Sequence, residues 1–170
     1  MSGDDPLAHA RYVELQVTTH FSFLRGASSP DELVGAAAAL GLPAIGVTDR
    51  NTLGGLVRAW DAQKVTGIRT IPGARLDLVC GTSLLVYPTD KPAYARLSRL
   101  LTIGKRRAGK GACHLHWADL EDWHEGLIAI LVPDGADAAS VSATKPLVAI
   151  PLLSEILLGL SNSTRVLARL

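Results

Sequence analysis

An apolar run of strand length, Pro43-Ala44-Ile45-Gly46-Val47-Thr48, stops at a carboxylate, Asp49. The chain then turns through Arg50-Asn51 and restarts as a helix at about Thr52. In parallel α/β architectures the loops after the strands share one face, and chemistry collects there. An acid in that place can ligate a cation. It can equally salt-bridge with Arg50 or Arg75, or help cap the helix at Thr52. The two arginines would themselves suit a phosphate. Cys113-His114-Leu115-His116, with His124 nearby, is the most metal-like cluster by composition, but a second Cys/His pair at zinc-finger spacing is missing. Lys105-Arg106-Arg107-Ala108-Gly109-Lys110 could contact a nucleic-acid backbone or an acidic protein surface, or be a solvated loop. No aromatics are interleaved with it to stack bases. There is no Gly-rich phosphate loop, Gly-x-Ser-x-Gly elbow or Asp-x-Asp pair, so the paired carboxylates of two-metal nucleotidyl transfer are missing.

The elements that must position these groups follow from period and punctuation. Val13, Leu15 and Val17 alternate with Glu14, Gln16 and Thr18, which predicts a half-buried strand over 12–18. Ser29-Pro30-Asp31-Glu32 is a helix start with a capping box, and Gly41 with Pro43 closes that helix after Leu40. A strand over 44–48, a helix from about Thr52 to Thr66 ended by Gly67, and a strand over 68–72 complete a strand–helix–strand–helix–strand order. Right-handed crossovers and a parallel sheet are implied. Residues 76–80 and 83–87, joined around Gly81, read as a β-hairpin. A helix from Lys91 to about Ile103 carries Tyr94, Leu97, Leu100 and Leu101 on one stripe. A basic, Gly-rich loop over 104–113 follows, then a short helix from Trp117 to Trp123 and a strand from Leu127 to Val132. Trp117 and Trp123, six apart, read as packing residues, within the domain or at a domain interface.

Composition narrows the class. A chain of 170 residues with 48% hydrophobic and 5% aromatic content fits an Ala/Leu/Val-packed α/β domain. The formal net charge of +1 gives no global drive toward nucleic acid or anionic membrane. Cys80 and Cys113 are too few for a disulfide framework. The opening Met1-Ser2-Gly3-Asp4-Asp5-Pro6 is no secretory signal, and no stretch reaches the ~20 apolar residues of a membrane span. A soluble cytoplasmic protein is expected.

The segments around 12–22, 43–53 and 71–76 together resemble the opening of the polymerase and histidinol phosphatase (PHP) domain, as found in bacterial C-family DNA polymerases. Phe21-Ser22-Phe23-Leu24-Arg25-Gly26-Ala27-Ser28, Thr48-Asp49-Arg50-Asn51 and Leu101-Thr102-Ile103-Gly104-Lys105-Arg106-Arg107 are similar to the error-prone, damage-induced branch. The resemblance implies an incomplete PHP-type (β/α) barrel over 11–133, after a flexible lead over 1–10. Residues 134–170 change character to Ala, Ser and Leu and are expected to be a divergent tail, from a frameshifted or shortened reading frame or a genuine divergent segment. Metal-dependent members carry His-x-His where this chain has Gln16 and Thr18. They carry Thr-Asp-His where it has Thr48-Asp49-Arg50, and a carboxylate where it has Arg75. His20 is then a polar loop residue rather than a rescued ligand. A degenerate site without metal or cofactor is implied, with a scaffolding role in a polymerase. The intact enzyme would use magnesium, DNA and the rest of the polymerase in translesion synthesis and repair. The rival readings are a metal-dependent PHP phosphoesterase or proofreading exonuclease, and a small basic nucleic-acid binder.

Overall fold

A computed structural model describes residues 12–132. The expectations for the lead over 1–10 and the tail over 134–170 lie outside the described residues. The chain divides into two compact units, one holding the residues up to Leu76 with Leu85–Pro88, the other Asp77–Leu84 with the residues from Thr89 on.

The first unit contains β1 (Glu14–Val17), α1 (Pro30–Ala39), β2 (Ala44–Arg50), α2 (Leu56–Thr66) and β3 (Arg69–Asp77, whose last residue falls in the other unit). Both β1–β2 and β2–β3 are parallel, with Val17 beside Val47 and an unbroken register from Ala44↔Arg69 to Arg50↔Arg75. The central strand β2 is buried from Ala44 to Asp49 without alternation, as a parallel strand covered on both faces must be. Its Ile45 and Val47 pack with Val34 and Ala37 of α1 and Ala59 and Ala62 of α2. Small alanines at these contacts let helix and sheet approach closely.

Local signals account for the helix ends. Ser29 accepts a hydrogen bond from the Glu32 N–H while Glu32 accepts one from the Ser29 N–H, which completes the expected capping box. Gly67 closes α2 at φ 75°, a left-handed geometry that glycine adopts without a Cβ penalty. The start of α2 differs from the expected Thr52. Asn51 sits at φ 50°, with its N–H bonded to the Arg75 carbonyl, and the Thr52 hydroxyl accepts from the Gly54 N–H. Residues 51–55 are therefore turns, and the helix begins at Leu56. β3 differs too. Pro72-Gly73 does not end it, because these residues pair in register with Val47 and Thr48 and the ladder continues.

In the second unit, a turn over 78–82, with the Leu78 N–H on the Thr82 carbonyl at 2.9 Å, leads into β4 (Ser83–Pro88), whose residues from Leu85 on fall in the first unit. Next come α3 (Lys91–Arg107), α4 (Trp117–Trp123) and β5 (Leu127–Val132), the last two with the expected bounds. α3 is longer than expected and takes up Gly104 to Arg107. Gly104 is buried inside it, and a Cβ there would stand 2.6 Å from the Leu115 side chain and 2.7 Å from the Cys113 sulfur. The bare glycine thus lets residues 113–115 cross the helix, and the His114 N–H bonds to the Gly104 carbonyl at 3.0 Å. The buried stripe of α3 is Ala93, Leu97, Leu100, Leu101 and Gly104; Tyr94 is 40% exposed, contrary to expectation.

Candidate functional site

The site is built where β1 and β2 end. Asp49, the penultimate residue of β2, is 1% exposed although it is a carboxylate. Burying an acid demands donors. Here they come from the turn after β1: the Thr19 N–H donates at 2.8 Å, the Thr19 hydroxyl at 2.8 Å, and the Ser22 hydroxyl at 2.7 Å. The Ser22 oxygen in turn accepts from the Arg50 N–H at 2.9 Å, so one serine joins the turn to the acid's side chain and to the backbone that follows it. Behind the carboxylate lies the start of α2. A Cβ on Gly55, the residue before its first turn, would stand 2.5 Å from one Asp49 oxygen and 2.9 Å from the Thr19 hydroxyl. Only glycine lets the positive end of that helix stand so close to the acid. Thr48 is fully buried, and its hydroxyl has no hydrogen-bond partner among the described residues.

Thr19, Ser22 and Gly55 were not singled out from the sequence. The available signal was two hydroxyls three residues apart just after a strand, opposite an acid at a neighbouring strand's end.

Arg50 and Arg75 are paired in register at the same end of β2 and β3, and both are half-buried. Gln16 is exposed, with its N–H on the Glu14 carboxylate, and Thr18 is half-buried. His20 donates its backbone N–H to the Ser28 carbonyl and stacks on Phe21 with ring centres 4.7 Å apart.

The one carboxylate at these positions already accepts three hydrogen bonds. Among the described residues no three His, Cys, Asp or Glu side chains are grouped to hold a metal ion. Of the Cys113-His114-Leu115-His116 segment, Leu115 is buried while His114 and His116 are exposed, and burial pushes the Cys113 thiol up, away from the thiolate a metal binds.

The basic segment is not a loop at its start, as expected, but the last turn of α3. Cations are favoured there by the helix dipole. Arg107 is paired: its guanidinium donates to both Asp119 oxygens at 2.6 and 2.8 Å and to the His114 carbonyl at 2.9 Å. That partner holds the Asp119 carboxyl down at about 2. Lys105, Arg106 and Lys110 remain exposed. Arg99 lies over the Trp123 ring at 6.0 Å.

The chain is similar to error-prone DNA polymerase 2 of Agrobacterium fabrum, at 61% identity over 127 residues, which is 75% of this chain and 12% of that protein. It is similar to error-prone DNA polymerase 2 of Rhizobium meliloti at 60% identity over the same shares of each chain. The error-prone DNA polymerase of Caulobacter vibrioides matches at 58% identity over 72% of this chain and 11% of that protein. The chain thus spans about an eighth of the length of these relatives. Among solved structures, an amidohydrolase from Chromobacterium violaceum superposes with a TM-score of 0.47 and 26% identity, over 56% of this chain and 33% of that one. No helix among the described residues is long and apolar enough to cross a membrane. The sequence pattern of the PHP domain matches residues 14–148. With that match over most of its length, and with parallel strands joined by helices in its first unit, the chain belongs to the PHP domain family.

Proposed function

We propose that this chain acts as the PHP domain of an error-prone DNA polymerase, with the family's metal position lost and a structural role in its place. The observation that carries the reading is the state of Asp49: it is buried and saturated by Thr19 and Ser22, with Arg50 and Arg75 in register beside it. A carboxylate so engaged pins the turn after β1 to the end of β2, which is scaffolding. Gln16 and Thr18 supply neither a carboxylate nor an imidazole at the positions where metal-dependent members of the family carry ligands. In the intact protein the partners proposed are DNA and the rest of the polymerase, working in the cytoplasm in lesion bypass and repair with magnesium bound elsewhere. The domain itself is proposed to extend over 11–133.

Elemental analysis of the chain purified without chelator tests this. Well under one equivalent of zinc or manganese per chain is expected. A full equivalent that disappears in Asp49→Asn would overturn the reading in favour of a metal-dependent phosphoesterase or exonuclease.

A further inference from the structure

Charge is distributed unevenly along this chain. Between Asp90 and Asp119 there are seven lysines and arginines and no acid, although the whole chain carries 17 basic and 16 acidic residues. α3 accounts for most of this run. Its buried stripe is Ala93, Leu97, Leu100, Leu101 and Gly104. At 100° per residue the opposite face carries Lys91, Ser98, Arg99, Thr102, Lys105 and Arg106. An ordinary solvent face mixes both signs, and like charges three or four apart destabilise a helix. The last-turn position offsets part of that cost for Lys105 and Arg106, but it does nothing for Lys91 or Arg99. Nor does the unit neutralise the end of the stripe. Arg96 pairs with Glu125 and Arg107 with Asp119, while the side chains of Lys105, Arg106 and Lys110 have no hydrogen bond or ion pair among the described residues. The Arg107–Asp119 pair ties the last turn of α3 to α4 and so holds the three free cations in place.

We propose that this face of α3, continued by Lys110, docks the phosphate backbone of double-stranded nucleic acid. Arg99 and Arg106 lie two turns apart, about 10 Å along the axis, a span matched to several phosphates of a duplex carrying one charge per ~1.7 Å. The small side chains of Ser98 and Thr102 between them leave the helix surface open to close approach. A duplex fits better than an unpaired strand. Two partly exposed aromatics, Tyr94 and the Trp123 under Arg99, lie by the face among the described residues, and stacking successive bases takes a longer series of them. Binding of this kind carries no sequence preference and depends steeply on salt. The surface requires no metal, so the elemental analysis above leaves it untouched.

Fluorescence anisotropy of the full chain with a labelled random-sequence DNA duplex, as a function of salt, tests the proposal. Four cations (Arg99, Lys105, Arg106 and Lys110) predict a slope of log affinity on log salt of about −3.6, and weakening on the order of 10²-fold from about 50 to about 200 mM salt. Lys105→Ala, Arg106→Ala and Lys110→Ala together should bring the slope to about −1. Arg106→Ala alone should remove about one unit. The pair Lys105→Arg with Lys110→Arg should keep the full slope. These side chains are exposed, so thermal melts should stay unchanged. Absence of salt-dependent binding at about 50 mM, or a slope unchanged in the triple variant, overturns the proposal. So does competition by polyglutamate as effective, per charge, as by DNA, which would mark a surface for an acidic protein instead.

Discussion

Asp49 and Thr48 are neighbours on one buried strand and have opposite standing with respect to hydrogen bonding. Asp49 accepts from Thr19 and Ser22, so removing it strands an N–H and two hydroxyls away from water. Asp49→Leu should therefore lower the free energy of unfolding by about 3 kcal/mol. The Thr48 hydroxyl, buried with no hydrogen-bond partner among the described residues, has already lost its hydration. Thr48→Val should raise stability by about 1 kcal/mol. Urea unfolding of the two variants checks both signs at once, and a loss of stability in Thr48→Val would show that the hydroxyl is satisfied in solution. The acid at the strand end was legible in the sequence because an apolar run stops there. Its partners were not. Nothing in Thr19 or Ser22 marks a side chain as turning inward rather than outward, since that depends on how the turn over 19–26 folds back.

Elements whose ends are set by neighbours in sequence were legible: α1 with its capping box, α2 with its closing glycine, and β5 between Gly126 and Pro133. Elements whose ends are set by distant residues were not. α3 outran its expected end because Leu115 and Cys113 pack on Gly104, and β3 ran through Pro72-Gly73 because β2 supplied a continuous ladder. Tyr94 fits the helical stripe by spacing, yet Ala93 takes the inward place beside it. The tie between α3 and α4 makes a testable pH signature. With Arg107 bonded to it, the Asp119 carboxyl titrates at about 2, below its ordinary 3.8. The folded pKa is depressed, so the stabilisation is fully present above about pH 4 and is lost as pH falls through about 2. Melting temperatures of the protein and of Asp119→Asn should differ near neutrality and converge toward pH 2. A constant gap across that window would mean the pair contributes nothing through its charge.

At the scale of the whole molecule, family membership was legible because separated motifs recur in order along the chain. Since the chain spans 12% of the error-prone polymerases it resembles, we expect it to bind without polymerising. Primer extension assays should give no product above a heat-killed control; extension that survives repeated purification would refute that expectation. The burial of β2 has a consequence in time rather than in energy. A strand paired on both edges and covered on both faces has no route to solvent through small fluctuations. In deuterated buffer the amide hydrogens of residues 45–49 should be the last to be replaced, long after those of the turn over 78–82. Their rate then reports how often the first unit opens completely.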